Sequence, residues 1–283
     1  MIMFSFIAEN KYGEQLELTH NPAYAVSNIS GFDPPAAVIN ATKNAGFDGM
    51  VYNSSSMEPR TITITLAVNG PAEVNRLQLY RLFKSKEPVR LYYRTETRDV
   101  YIDGYVQTFS VAFFEKKETA QIVVYCPLPA LNQNGRPDEE IIDMSGPLFE
   151  FPFDIDSEGI PFSEAVTEQT VQVVNLGDLE TGTTINIYFN GAVTTPKIYS
   201  DSTGGHMFIN TSMQAGDELK ICTIPGKKEI TRIRNGVKTS LLGYLDGSWL
   251  VMVPGYNQIT ITAASGGDKL IAVFDTVGQF EGV

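Results

Sequence analysis

The run Arg60-Thr-Ile-Thr-Ile-Thr-Leu-Ala-Val68 alternates without interruption, with Ile62, Ile64, Leu66 and Val68 on one face and Thr61, Thr63, Thr65 and Ala67 on the other. A period of two puts every large apolar side chain on one side of an extended chain, so the segment reads as a half-buried β-strand. Asn69-Gly70-Pro71 follows, setting a proline at a helix start and Glu73 in the first turn, where an acidic group meets free backbone N–H groups. A helix is predicted from about Ala72 to Lys84. Its apolar residues, Val74, Leu77, Leu79, Tyr80, Leu82 and Phe83, run round much of the circumference, which predicts cover on more than one side. Val89–Tyr93 and Val100–Val106 then read as a hairpin. Gln121–Cys126 reads as a strand halted by Pro127 and Pro129, because proline denies the ladder a donor. Nothing in this region is a recognisable catalytic group.

The chain has 283 residues, too many for one ordinary sandwich and suited to two domains with separate cores. Its 21 basic and 33 acidic residues give a net charge of -12, which repels phosphate backbones and anionic lipid and argues against nucleic acid or membrane as the principal partner. No stretch approaches the roughly 20 apolar residues needed to span a bilayer. The apolar opening Met1–Ala8 lacks a basic flank and runs into the alternation of Gln15–Leu18, so it reads as a strand and not as a signal peptide. Cys126 and Cys222 lie in different halves, each in an apolar strand context, which favours two buried thiols over a disulfide.

From Asn21 to Met57 the chain is rich in Asn, Ser, Gly, Pro and Ala and reads as a long loop. A loop of that length inside a compact domain normally has a function. Between Leu131 and Ser163 the composition shifts through Asn134-Gly135-Arg136-Pro137 and the acidic Asp138-Glu139-Glu140, which makes this the best domain boundary and gives domains 1–140 and 141–283. Beyond Ser163 the signals are short strands and tight turns: 170–174, 184–189, 206–210, 218–224, 228–234, 237–241, 249–253, 258–262 and 270–274. Asn235-Gly236 is the dipeptide whose positive φ angles fit a type I′ hairpin. Regular short strands without helices predict a second β-sandwich.

The order and spacing of Gly31-Phe-Asp-Pro-Pro35, Asp48-Gly49, Arg60–Ile64, Arg76–Phe83, Tyr101-Ile-Asp-Gly-Tyr-Val106 and Cys126-Pro-Leu-Pro129 resemble the amino-terminal domain of the distal tail proteins of long, non-contractile-tailed bacteriophages. Pro254-Gly-Tyr-Asn257 followed by Ile259-Thr-Ile261 is similar to the penultimate turn and strand of the galectin-like and carbohydrate-binding-module-like domains that such proteins often carry. The resemblance implies a mainly β protein with one α-helix in its first domain and a galectin-like sandwich after it. It implies a structural, non-enzymatic role at the virion's distal tail tip. The expected partners are copies of the same chain in a hexameric ring, the major tail tube protein, and a tail-tip or tail-associated hydrolase protein. A receptor-binding protein or host-wall saccharide is a further candidate partner, and under the resemblance the 21–57 segment becomes an arm on a neighbouring subunit.

Chemical candidates are few, and no cofactor is expected. Asp154-Ile-Asp-Ser-Glu-Gly159 matches the opening of an EF-hand loop, but position twelve is Ala165 and Pro161 lies inside it, so a solvated acidic turn is favoured and no metal site is expected. Only His20 and His206 could serve a triad, and no Gly-x-Ser-x-Gly elbow accompanies them. No pair among the many carboxylates stands out as a glycosidase pair. Lys227, Lys228, Arg232, Arg234 and Lys238 form a basic hairpin that reads as a solvated face or as a complement to an acidic neighbour. Trp249, with Tyr244 and Tyr256 nearby in sequence, is the candidate saccharide or partner contact, although Leu250 and Met252 make core packing the favoured role for Trp249. The alternative function is therefore a carbohydrate-binding module for host cell-wall saccharide.

Overall fold

The computed structural model describes residues 4–46, 48–113, 117–135, 140–143, 145–147, 163–165 and 168–283. They divide into two compact units, 1–135 with 279–283 and 136–278. The first contains β1 (Ser5–Asn10), β2 (Gln15–Glu17), β3 (Tyr24–Ser30), β4 (Ala37–Thr42), β5 (Val51–Met57), β6 (Arg60–Val68), α1 (Ala72–Leu82), β7 (Pro88–Arg94), β8 (Asp99–Ala112), β9 (Thr119–Cys126) and β10 (Leu131–Gln133). The second contains β11 (Glu140–Asp143), β12 (Ser145–Pro147), β13 (Ser163–Ala165), β14 (Glu168–Asn175), β15 (Thr184–Phe189), β16 (Val193–Ser200), β17 (Gly205–Ile209), β18 (Ser212–Met213), β19 (Glu218–Cys222), β20 (Glu229–Arg234), β21 (Val237–Ser240), β22 (Leu245–Gly247), β23 (Gly255–Ser265) and β24 (Leu270–Asp275). The last strand, β25 (Gln279–Phe280), returns to the first unit and pairs β10. Residues 279–283, expected in the second domain, are thus part of the first, because a two-residue ladder and Phe280 packing on that core tie them there.

The alternation of 60–68 decides the first unit. Ile62, Ile64 and Leu66 are fully buried on β6, between β9 and the edge strand β3 of an antiparallel sheet ordered β2-β1-β7-β8-β9-β6-β3, with β10 and β25 joined through β8. Phe6, Leu91, Ile102, Ile122 and Val124 complete the apolar face, and Leu79, Leu82 and Phe83 at the end of α1 pack on it. The strand before Pro127 ends at Cys126, as the prolines require. The helix differs from expectation in its cover. Val74 and Leu77 are 63% and 55% exposed, so within one chain α1 buries only one side.

The second unit has two six-stranded sheets, β11-β24-β15-β19-β20-β21 and β14-β23-β16-β17-β22 with β18 beside β16. Ile185, Ile187, Leu219 and Ile221 of the first sheet share one buried cluster with Ile198, Met207, Ile259 and Ile261 of the second, which makes the unit a β-sandwich. Two segments depart from the sequence reading. Residues 249–253 are not a strand; Leu250 and Met252 are buried, and only an isolated bridge joins Met252 to Thr181. Conversely, 193–200 forms β16, which the sequence hides behind Pro196. Pairing to β18 stops at Thr194 and pairing to β17 starts at Lys197, so the proline falls in a break between two partners.

The 21–57 stretch is not a loop. It supplies β3 and a separate hairpin, β4–β5, whose residues are exposed except for the half-buried Ala41. A strand with no buried face carries no apolar alternation, which is why its pattern is silent.

Candidate functional site

The chain's chemistry is concentrated in how it presents the β4–β5 hairpin, and Arg60 sets that presentation. Arg60 opens β6 three residues after β5 ends, and it is only 3% exposed. Its Nε donates to the Pro129 carbonyl at 2.9 Å, its Nη1 to Gly31 and Asp33 carbonyls at 2.9 and 3.1 Å, and its Nη2 to the Glu281 carbonyl at 2.5 Å. One guanidinium thus clamps the root entering β4, the root leaving β5, the end of the β9 segment and the C-terminal tail. Burial pushes its pKa down, with the nearby Cys126 and Asp33 acting the other way. Charge-assisted bonds to carbonyl oxygens keep such a cation in place.

The entering root is rigid in its own right. Gly31 sits at φ +97°, and a Cβ there would lie 2.1 Å from the Thr61 carbonyl oxygen, so only glycine lets the chain cross β6 so closely. Phe32 next to it is buried, stacked on Tyr93 at 4.9 Å and edge-on to Phe6 at 5.9 Å. Beyond this anchored base the hairpin projects with Ile39, Met50, Val51 and Tyr52 exposed at 67%, 59%, 45% and 63%. Besides the β4–β5 backbone ladder, side-chain bonds cross it at the surface, Asn40 Nδ2 to Ser54 Oγ at 3.1 Å and Asn53 Nδ2 to Thr42 Oγ1 at 2.6 Å. An isolated two-stranded hairpin is marginal in water, and these apolar side chains stay exposed among the described residues. Beside the root, the edge strand β3 borders a cleft of about 340 Å³ lined by Phe4, Val26, Ile29, Phe32 and Tyr93.

The helix is a second fixed surface. Tyr24 donates to the Asn75 carbonyl at 3.0 Å, Asn75 Nδ2 to the Asn69 carbonyl at 2.8 Å, and Arg76 binds both oxygens of Glu118 at 2.9 and 2.7 Å. These bonds lock the inner side and turn Val74 and Leu77 outward. Phe113, half exposed, lies 5.1 Å below the Arg76 guanidinium.

In the second unit the three sequence candidates do not form one platform. Tyr256 opens β23 and is 69% exposed, while Tyr244 precedes β22 at the sheet's edge and is 51% exposed. Strands β16 and β17 lie between β23 and β22, about 14 Å at the usual strand spacing. Trp249 is half-buried against the sandwich core, with the Lys228 ammonium 5.3 Å from its ring centre. The EF-hand-like segment 154–159 lies outside the described residues. Among the described residues no three His, Cys, Asp or Glu side chains gather as a metal site, and no helix is long and apolar enough to cross a membrane. His20 Nε2 lies 2.9 Å from the Phe4 carbonyl oxygen, and His206 packs on Phe208 at 4.6 Å between ring centres. Both cysteines are buried and free, and burial pushes the Cys126 thiol up to about 12. Sequence reasoning had no means of singling out Arg60 as the clamp; its only trace is a charged residue heading an otherwise uncharged strand.

Two families match the sequence: the phage tail protein RIFT-related domain over residues 11–124, and the C-terminal domain of the siphovirus-type tail component over residues 176–274. No curated protein sequence matches it. Among solved structures, the Dit (gp 19.1) protein of phage SPP1, described as a paradigm of hub adsorption apparatus in phages infecting Gram-positive hosts, aligns with a TM-score of 0.64 and 14% identity over 97% of this chain and 99% of that one. A chain of the phage P2 baseplate in its activated conformation with Ca aligns with a TM-score of 0.57 and 14% identity over 99% and 100%. The same baseplate with Sr gives 0.55 and 13%. Fold and family matches together define a structural component of a phage tail. More particularly, the chain belongs to the siphovirus distal tail proteins, which are virion components of the distal tail and not enzymes.

Proposed function

We propose that six copies of this chain close into a ring at the end of the tail, as an adaptor between the tail tube protein on one side and tail-tip or receptor-binding and hydrolase components on the other. The observation that carries this is the β4–β5 hairpin: a rigidly rooted arm whose apolar side chains lack cover in a single chain. An arm of this kind gains its cover from a neighbouring copy, and a head-to-tail contact repeated around an axis closes a ring. The exposed Val74 and Leu77 of α1 and the open edge of β3 offer further subunit or tube contacts. Light scattering coupled to size-exclusion chromatography tests the reading. The expected mass is six times that of the 31.2 kDa chain, falling to a monomer when residues 37–57 are replaced by a short Gly-Ser linker. A full-length chain that remains monomeric at high concentration overturns it.

The second reading is contact of the second unit with host-wall saccharide or a partner protein through Tyr244 and Tyr256, favoured by their exposure. Because the two rings stand apart, they act as separate contacts, and cell-wall pull-down that survives Tyr256→Ala and Tyr244→Ala removes this reading.

A further inference from the structure

Strands β16 and β17 lie inside their sheet, flanked by β23 and β22, the strands next to Tyr256 and Tyr244. Ile198 pairs with Met207, and both side chains are fully buried in the sandwich core. Alternation therefore puts Lys197, Tyr199, His206 and Phe208 on the opposite, solvent face, where all four are half-buried. Lys197 stands across the ladder from Phe208, and Tyr199 from His206. The same register extends this face to Thr260 and Thr262 of β23 and to the exposed Asp246 of β22, directly beside Phe208. The three rings touch. Phe208 meets Tyr199 edge-on at 5.2 Å and His206 at 4.6 Å between centres, with the Lys197 ammonium 5.3 Å from the Phe208 centre. Gly247, at φ +106°, leaves the space that the imidazole fills, since a Cβ there would lie 2.6 Å from its Cδ2.

Around these rings the polar ends are left open. Among the described residues the Tyr199 hydroxyl, the His206 ring nitrogens and the Asp246 carboxylate take no hydrogen bond, and Lys197 and Asp246 take no ion pair. An ammonium only donates, a carboxylate only accepts, and a phenol or imidazole does either. A ligand that matches must lay an apolar face on the rings and offer both donors and acceptors at its rim. A pyranose does so, with C–H groups over one face and hydroxyls round its edge. The other candidate ligands fit less well. Lys197 and Asp246 cancel within the cluster while the chain carries -12, so an anionic polymer gains no net attraction. β16 and β17 are each paired on both sides, so no open backbone is available for an added peptide strand.

We propose that the solvent face of β16–β17 is a binding site for a neutral saccharide, with a sugar ring seated on the Tyr199–His206–Phe208 cluster and its hydroxyls shared between Lys197 and Asp246. The site rests on the same premise as the second reading, saccharide contact by this unit, and assigns that contact to different residues.

Isothermal titration calorimetry of the full chain tests this with four uncharged sugars, chitotetraose, maltotetraose, cellotetraose and galactotetraose, and with tetragalacturonate as the anionic counterpart. Saturable binding of at least one neutral sugar is expected, weakened about tenfold or more by Phe208→Ala and by Asp246→Ala. The same binding is expected to change less than about twofold in Tyr244→Ala and Tyr256→Ala, and on raising the salt from about 50 to about 500 mM. Asp246 is exposed, so its variant reads the site even where Phe208→Ala fails to fold. Absence of saturation with every neutral sugar up to about 10 mM overturns the site. Binding lost in the tyrosine variants but kept in Phe208→Ala and Asp246→Ala overturns it and upholds the second reading, whereas the reverse pattern upholds the site and removes that reading. Tighter, salt-sensitive binding of tetragalacturonate overturns the neutral ligand. A light-scattering mass that falls in Asp246→Ala assigns the cluster to a contact between copies and overturns the site as well.

Discussion

Arg60 and Glu281 are separated by 221 positions in sequence and joined by a 2.5 Å bond from guanidinium Nη2 to backbone carbonyl. The bond makes the C-terminal tail part of the arm's foundation, together with Arg98, which reaches the Gly282 carbonyl at 2.5 Å and lies over the Phe280 ring. The second unit is therefore an insertion between β10 and β25, both of which belong to the first.

Arg60→Met is expected to destabilise the first unit by about 3–5 kcal/mol, because it leaves the carbonyls of Gly31, Asp33, Pro129 and Glu281 without a donor in a buried site. Arg60→Lys recovers less than half of this, since an ammonium lacks the planar fork that reaches three segments at once. Urea unfolding followed by far-UV circular dichroism measures both.

Gly31→Ala tests the close crossing at the root. The positive φ costs an alanine about 1–2 kcal/mol, and the added Cβ also meets the Thr61 carbonyl, so the loss exceeds the conformational cost alone. Displacement of the root also misdirects the hairpin. A variant that folds with reduced stability but no longer forms the parent oligomer is the expected outcome in thermal melts paired with light scattering.

Much of this fold is legible in the sequence where one face of an element is buried. The 60–68 strand, the stop at Pro127 and the Asn235-Gly236 turn all follow from local chemistry and are found where they were expected. The hairpin β4–β5 is illegible because neither face is buried, and α1 misleads because Val74 and Leu77 are apolar yet exposed in the single chain. Both failures fall on the surfaces argued to meet another copy, where the pattern answers to a partner and not to the chain's own core. Arg60 is illegible for a different reason: its four acceptors are backbone carbonyls, and carbonyls leave no trace in residue type.

The cysteines give a simple check on burial. Desolvation raises the Cys126 thiol to about 12, and Cys222 is also buried, so neither sulfur is open to a reagent in the folded chain. Less than about one thiol in ten is expected to react with a thiol reagent at pH 8 in the native chain over minutes, against both after unfolding in guanidinium. Rapid labelling of Cys126 in the native protein contradicts the packing of β9 against β8.

Ile39→Asp and Tyr52→Asp separate assembly from folding. Both side chains are more than 60% exposed, so each substitution is expected to shift the monomer's stability by no more than about 0.5 kcal/mol. In an arm seated on a neighbouring subunit the same substitutions bury a charge in an apolar contact, at a cost of several kcal/mol. Analytical ultracentrifugation is expected to show a folded monomer in place of the ring, with an unchanged melting temperature for the monomeric species.

Asp217 supplies a pH-dependent test of the second unit. The bonds from Arg234, and after them the Gln214 amide, hold its carboxyl below the ordinary value, outweighing the opposing effect of burial. A carboxyl with a lowered pKa in the folded state stabilises that state when ionised. The contribution is therefore complete above the unfolded value near 4 and disappears as the pH falls through the lower folded value. Asp217→Asn lacks it at every pH. The variant is expected to be about 1–3 kcal/mol less stable than the parent between pH 5 and 8, with the gap closing as the pH is lowered toward 2. Trp249, the only tryptophan of the chain, lies in the same unit, so its emission during urea unfolding at a series of pH values reports the difference directly. A gap that stays constant into acid assigns the lost stability to packing around Asp217 and not to its ion pair with Arg234.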